Sequence, residues 1–167
     1  MQEIFWPDKF LPGYTDNFVS NEVIVRDVPY QAVLDNLLDA SKWPGYYSNC
    51  ADIHMYNQED TMLREGTRFR FKTFGFDVES EVIQCSVSDR LLRLSWHGWN
   101  EAEGDGHLEV CHAWIVEKLN GNRLRVLTQE SQLGVPAKKM ADSTPNTMLN
   151  GHQEWLTGLS RASRGEI

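Results

Sequence analysis

The stretch Cys111–Ser131, "CHAWIVEKLNGNRLRVLTQES", has the pattern of two antiparallel β-strands joined by a tight loop. Arg123 and Arg125 alternate with apolar residues in its second half, which is typical of a strand with one buried face and one solvent face. The segment 120–122 (Asn-Gly-Asn) between the halves favours a hairpin turn. The stretch therefore predicts a β-hairpin, and the segments on either side of it extend the same sheet.

The length of the hairpin loop decides which side chains face the interior. A three-residue loop places Trp114 opposite Thr128 and His112 opposite Glu130, all on one face of the sheet. A two-residue Asn-Gly turn would shift the register by one residue and turn Ile115 inward instead of Trp114. We favour the three-residue loop and keep the other register open.

Residues 97–114, "HGWNEAEGDGHLEVCHAW", contain three His, two Trp and one Cys. If this segment is also a hairpin, His97 faces Cys111 on one side of the sheet, His112 lies on the other side, and His107 falls at the exposed tip. Tetrahedral metal sites need three or four converging ligands, and this register supplies at most two on either face. No metal site is therefore expected, and Cys111 is expected to be a structural thiol, not a nucleophile.

The sequence outside this hairpin predicts more strands of the same kind. Alternation of period two continues from Asp52 to Ser131 with regular turn signals, which is typical of an antiparallel meander. Its strands are expected at about 51–57, 67–74, 76–86, 91–99, 108–118 and 123–131, after a first strand at 18–26.

Helical patterns flank the meander on both sides. Pro29 opens a segment with apolar residues three and four apart, the sequence Trp43-Pro44-Gly45 interrupts it, and a turn or short second helix is expected at Tyr46-Tyr47. Near the end of the chain, Ser143-Thr144-Pro145 predicts a hydroxyl N-cap followed by a long helix that runs to about Ser163.

Composition narrows the classes of partner. The net charge is −8 and Lys and Arg form no stripe, so nucleic acid is not expected as a partner. Three cysteines without a Cys-x-x-Cys pair indicate reduced thiols. No secretion signal and no long apolar run is found, so we expect a cytoplasmic protein without membrane insertion, and a homodimer is left open. At 167 residues, the chain is expected to be one domain whose residues 1–17 form an arm packed on it.

The chain resembles the START-related, or SRPBCC, superfamily, and within it the polyketide cyclase/dehydrase-like proteins. The resemblance rests on the opening stretch and on "SKWPGYYSNC", "GTRFRFKTFGF", "LLRLSWHGW" and "MLNGHQEWLTGL". It implies an α+β helix-grip fold, in which a curved antiparallel sheet of about seven strands wraps around a long C-terminal helix and two short helices follow the first strand. It also implies a tunnel between sheet and helix that holds a hydrophobic small molecule.

Three functions are compatible with these patterns. The leading expectation is the binding of a hydrophobic, aromatic or polycyclic, small molecule, with no cofactor. The second is a cofactor-independent cyclase or aromatase in which His112 and Glu130 act as acid and base. The third is a protein-interaction module of the co-chaperone type. The residues expected to contact a ligand are Phe69, Phe71, Leu94, Trp96, Trp114, Thr128, Met148, His152 and Trp155.

Overall fold

A single antiparallel sheet of seven strands forms the body of the protein in the computed structural model, which describes residues 3–167. The strands are β1 (Asn17–Arg26), β2 (Ala51–Met55), β3 (Arg68–Thr73), β4 (Phe76–Val87), β5 (Leu91–Trp99), β6 (Glu109–Leu119) and β7 (Arg123–Leu133). The helices are α1 (Tyr30–Leu38), α2 (Trp43–Tyr46), α3 (Val135–Asp142) and α4 (Thr147–Ser163), with short 3-10 turns at Asp8–Phe10, Ala40–Lys42 and Gly104–Gly106. The strand order is β1-β7-β6-β5-β4-β3-β2, and α4 packs on one face. The predicted α+β helix-grip fold is confirmed.

The register of the β6–β7 hairpin is the one predicted for a three-residue loop. Leu119 pairs with Arg123, and Trp114 pairs with Thr128. Ile115 lies on the opposite face of the sheet from Trp114, so the register produced by a two-residue turn is excluded.

Two helix starts differ from the prediction. The residues Trp43-Pro44-Gly45 do not interrupt a helix but form most of α2, because proline is well accommodated in the first turn, where its missing N–H group has no partner to lose. The N-cap of α4 is Asn146 instead of a hydroxyl residue at 143 or 144, and its side-chain oxygen accepts hydrogen bonds from the backbone N–H groups of Met148 and Leu149.

Helix α4 approaches its neighbours closely at two glycines. A Cβ atom at Gly158 would lie 1.9 Å from the backbone oxygen of Tyr46, so this site requires glycine for α4 to contact α2. A Cβ atom at Gly151 would lie 2.3 Å from Cζ of Phe74, which sits in the turn between β3 and β4. The N-terminal half of α4 is thus covered by an aromatic side chain from this turn.

Aromatic side chains fill the space between α4 and the sheet. The ring of Trp43 lies 5.7 Å from that of Trp96, 5.1 Å from that of Trp155 and 5.6 Å from that of Phe71 (centroid to centroid). Trp43, Trp96 and Trp155 are almost completely buried. The core therefore consists largely of interlocking rings.

Residues 1–2 of the predicted arm at 1–17 lie outside the described residues, and residues within the segment 5–15 contact the outer face of the sheet. Phe10 is buried with its ring 5.7 Å from that of His97, and Thr15 Oγ1 lies 2.8 Å from Ser131 Oγ. Cys111 and Ile115, which point to this outer face, are completely buried. None of the described helices is long and apolar enough to cross a membrane.

Candidate functional site

Three buried ionisable side chains meet between the sheet and α4. The strand pairing places His112 of β6 directly opposite Glu130 of β7, as predicted, and α4 brings His152 to the same carboxylate. His112 Nδ1 lies 3.0 Å from Glu130 Oε2, and His152 Nε2 lies 3.2 Å from that same oxygen. The three side chains are at most 7 % exposed, so their interactions are formed away from bulk water.

A second layer of hydrogen bonds orients these groups. Thr128 Oγ1 lies 2.7 Å from His112 Nε2, so both ring nitrogens of His112 are engaged. Gln132 Nε2 donates to the other carboxylate oxygen, Glu130 Oε1, over 2.7 Å. A carboxylate held from both oxygens keeps one position, and it fixes the rings that point towards it.

This hydrogen-bonded network continues to the start of α4. Asn17 Nδ2 donates to Gln132 Oε1 over 2.8 Å, and Asn146 Nδ2 donates to Asn17 Oδ1 over 3.1 Å. Asn146 is the residue that caps α4. A continuous chain of side chains therefore joins the Glu130 carboxylate to the N-terminus of the helix above it.

The pKa shifts in this cluster follow from burial and from mutual attraction. Burial lowers the pKa of His112 to about 4, although the Glu130 carboxylate opposes this effect. Burial also disfavours ionisation of Glu130, but the two histidines outweigh it and hold the pKa of Glu130 below its usual value. At neutral pH, His112 is neutral and Glu130 is ionised.

A small cavity adjoins the cluster. The volume that the centre of a water-sized sphere can reach is about 30 Å³, and the total space not occupied by atoms, including the part open to solvent, is about 390 Å³. One water molecule needs roughly 10–15 Å³ of the volume reached by sphere centres, so the cavity is large enough for a few small atoms only. Drug-sized pockets typically measure about 300–1,000 Å³.

The cavity is lined by some of the predicted ligand contacts and not by others. Phe71, Trp96, Met148, His152 and Trp155 line it, together with His112 and Glu130. The remaining predicted contacts, Phe69, Leu94, Trp114 and Thr128, are buried in the core and are not part of its wall. Buried side chains, above all the indole rings, fill most of the space between α4 and the sheet in which a ligand was expected.

Sequence analysis missed the residues that close the cavity. Phe74 and Phe76 flank the glycine of the β3–β4 turn, and both line the cavity opposite α4. The backbone N–H of Phe74 donates to Asn49 Oδ1 over 2.8 Å, and Phe74 has a φ of +49°, a left-handed conformation unusual for a bulky residue. The sequence "FGF" predicts a turn, but it does not predict that this turn lies over α4, because that position depends on contacts between residues distant in sequence.

The other two histidines and the cysteine of the 97–114 segment lie away from the cavity. His97 and His107 contact the two carboxylate oxygens of Glu109 at 3.1 and 3.3 Å, and Lys9 also pairs with this carboxylate. Cys111 is completely buried where the N-terminal residues cover the sheet, and burial raises the pKa of its thiol to about 12. Cys111 is therefore an unreactive thiol at neutral pH.

Three ligand-type side chains in one place are also what a metal ion requires. Among residues 3–167, His112, Glu130 and His152 are the one group of His, Cys, Asp and Glu side chains whose ligand atoms lie within 4.8 Å of one another. His112 and Glu130 lie on strands β6 and β7 of the sheet, and His152 lies on α4, the helix that covers it.

Comparison with known proteins gives one strong similarity and several distant ones. The chain is similar to the hypothetical protein jhp0584 of Helicobacter pylori, with 59% sequence identity, 98% of each chain covered and a TM-score of 0.97. No protein-family model and no curated protein matches the chain.

The distant similarities concern the fold alone. The di-domain ARO/CYC StfQ of the steffimycin biosynthetic pathway has 10% identity and a TM-score of 0.61, over 90% of this chain and 52% of that one. Norcoclaurine synthase of Thalictrum flavum has 11% identity and a TM-score of 0.58, over 87% of this chain and 91% of that one. The chain belongs to one family with jhp0584, and it shares the helix-grip fold with StfQ and norcoclaurine synthase.

Proposed function

We propose that the protein binds a small molecule between α4 and the sheet, with an apolar part of the ligand against Phe71, Phe76 and Met148 and a polar group at His152. One observation carries the proposal. His152 lines the cavity and is 1 % exposed, yet its Nδ1 atom has no hydrogen-bond partner among the described residues. Buried polar atoms are nearly always paired, so an unpaired nitrogen in an apolar wall indicates a partner supplied by a ligand or by water.

The size of the cavity limits this ligand. About 30 Å³ is too little for a polycyclic molecule. A larger aromatic ligand requires the turn at Phe74 to move, because the Phe74 ring packs on Gly151 and closes the cavity at this end. Beyond the strand pairing of Thr73 with Phe76 at its base, the turn is held by a hydrogen bond from Phe74 to Asn49 and by this ring contact. We therefore assign Phe74 as the gate of the site.

Native mass spectrometry of freshly purified protein, followed by identification of any molecule retained, tests the proposal. Thermal unfolding with a panel of small phenols, small aromatic acids and polycyclic compounds tests it further. Because His152 Nε2 contacts the Glu130 carboxylate, its Nδ1 atom needs a hydrogen-bond donor, so we expect small phenols, and not small acids, to raise the melting temperature of the wild-type protein. Polycyclic compounds should do so mainly in Phe74→Ala, and His152→Leu should abolish the effect of the phenols. If no compound stabilises either protein and nothing is retained, the proposal is wrong.

The same cluster favours a second function, proton transfer in a cyclase- or aromatase-like reaction. The acid and base predicted from the sequence are His112 and Glu130. Because Glu130 and Thr128 engage both ring nitrogens of His112, we assign the proton-transferring nitrogen to His152, oriented by Glu130. This is the usual arrangement of a carboxylate that fixes a catalytic imidazole.

This second function predicts turnover, not merely binding. With the retained molecule as substrate, His152→Gln should abolish product formation, while His112→Asn should reduce it less and leave binding measurable. Product formation that persists in His152→Gln would contradict the assignment. The interaction-module alternative has less support, since the N-terminal residues cover the outer face of β6 that a partner protein would use.

A further inference from the structure

We infer that His112, Glu130 and His152 form a binding site for one divalent transition-metal ion, of the class of Zn²⁺ or Fe²⁺. The inference does not depend on the organic ligand proposed above. It begins from the convergence of three side chains on one point, from two strands and a helix.

The distances between the ligand atoms are those found around a bound metal. Zinc lies about 2.0–2.2 Å from His nitrogen and carboxylate oxygen atoms, so two ligands at angles of about 90–109° are about 3.0–3.5 Å apart. The distances of His112 Nδ1 and His152 Nε2 from Glu130 Oε2 are 3.0 and 3.2 Å. Two of the three distances therefore suit a bound ion, and all three ligand atoms lie within 4.8 Å of one another.

The donor set has the composition of known metal sites. Two imidazoles and one carboxylate bind catalytic zinc, and the same set with open positions binds non-haem Fe²⁺. Three protein ligands leave at least one position open, and the adjoining cavity of about 30 Å³ has room for a metal-bound water.

His112 and Glu130 also have the supporting hydrogen bonds that orient the ligands of metal sites. With a metal on Nδ1 of His112, its Nε2–H group would donate to Thr128 Oγ1, which lies 2.7 Å away. Gln132 holds the carboxylate oxygen that does not face the histidines. Ligands with such supporting partners keep the orientation that a metal requires.

Charge and burial also favour a cation at this point. Glu130 is a buried carboxylate, and the ionisable groups of residues 3–167 that contact it are His112 and His152. Buried charges are normally paired or coordinate a metal.

A second cluster, on the outer face, is a matched contrast. There, His97 and His107 also contact one carboxylate, that of Glu109, at 3.1 and 3.3 Å. These side chains are 34 % and 40 % exposed, and the ammonium group of Lys9 already pairs with the carboxylate. The outer cluster has the same residue types without burial, so it controls for non-specific binding by surface histidines.

Metal titration of the intact protein tests the inference. Protein treated with EDTA is titrated with Co²⁺, whose visible absorption reports its coordination, and with Zn²⁺ in competition, while metal content is measured by elemental analysis. We expect one ion per chain and a raised melting temperature in Zn²⁺. The double variant His97→Ala/His107→Ala should bind as the wild type does.

Three inner variants refine the test. His152→Gln and His112→Asn each keep an N–H donor near Glu130 but remove an imidazole ligand, and both should lose stoichiometric binding. Thr128→Val keeps the size of the side chain and should weaken binding by about 10–100-fold, because it removes the support for His112. Circular dichroism checks that each variant is folded.

Two results would overturn the inference. One is an absence of stoichiometric uptake by the wild-type protein, which decides the question even if an inner variant fails to fold. The other is uptake that survives in His152→Gln but disappears in the outer double variant. Stabilisation by small phenols, measured in EDTA, is a separate readout, so the failure of the metal site and the failure of the organic ligand are distinguishable.

Discussion

The contact between Gly151 and Phe74 predicts the effect of adding one methyl group to α4. In Gly151→Ala, the new Cβ atom would lie 2.3 Å from Cζ of Phe74, so one of the two must move. The Phe74 ring is the end of a flexible side chain on a turn, and it should swing away from the helix. This displacement opens the cavity below it.

The change in stability should be small because two effects oppose each other. Alanine stabilises a helix interior by about 1 kcal/mol relative to glycine. Releasing a half-buried phenylalanine loses about half of the roughly 1.5–3 kcal/mol of a fully buried one. The net effect therefore lies between a gain of about 0.3 and a loss of about 0.5 kcal/mol, which corresponds to a melting temperature within about 2 °C of that of the wild type.

Gly158→Ala is the matched control on the same helix. Its Cβ atom would lie 1.9 Å from the backbone oxygen of Tyr46, and backbone in a packed helix cannot turn aside as a ring can. Overpacking of this kind costs about 1–3 kcal/mol or more, so Gly158→Ala should be the less stable variant by about 2 kcal/mol.

Thermal unfolding by circular dichroism measures both variants, and the fluorescence of a naphthalene-sulfonate dye reports opening of the cavity. Gly151→Ala should bind more dye than the wild type, as Phe74→Ala should. If Gly151→Ala is as unstable as Gly158→Ala and binds no additional dye, the Phe74 turn is rigid and its assignment as a gate is refuted.

Three further predictions concern the buried and outer charges. Glu130→Ala leaves two buried imidazoles and Gln132 without their carboxylate acceptor and should lower the free energy of unfolding in urea by about 1–3 kcal/mol; an unchanged value would argue against a tightly formed cluster. Burial raises the pKa of Glu109, but Lys9 and two histidines outweigh this and lower it to about 2 from 4.5. The stability that Glu109 contributes is therefore fully present above its unfolded pKa and is lost as the pH falls through its folded pKa. Lys9→Met should reduce the loss of melting temperature between pH 5 and 2, and an unchanged slope would contradict this. Cys111 should resist a disulfide reagent at pH 8, as peptide mapping can check, and should react once residues 1–12 are deleted; equal protection after deletion would show that these residues do not shield it.

The sheet was accessible to sequence reasoning because its information is local. Alternation fixes which side chains share a face, and the hairpin loop fixes the register, so the pairing of His112 with Glu130 could be predicted from one segment. Arg125 shows the limit of this reasoning. It lies on the outer face as predicted, yet it is buried there, with ion pairs to Glu22 and Glu117.

Features that depend on contacts between distant segments could not be predicted. The amphipathic pattern of α4 places His152 on the inner face, but not its nitrogen within 3.2 Å of Glu130. The volume of the cavity depends on the rotamers of Trp43, Trp96 and Trp155, which no periodicity encodes. The segment that places Phe10 against His97, the strand partner of Cys111, has no regular spacing from which this contact could be predicted.

The series of hydrogen-bonded side chains from Glu130 to Asn146 couples the N-terminus of α4 to the buried cluster. Asn146 accepts hydrogen bonds from the amides of Met148 and Leu149 while it donates to Asn17, so its position depends on both ends of the series. A ligand or ion that shifts the Glu130 carboxylate should also shift Gln132, then Asn17, and then the Asn146 cap, because each is hydrogen-bonded to the next. Hydrogen exchange of two backbone amides can thus register occupancy of a site that no solvent-exposed probe touches.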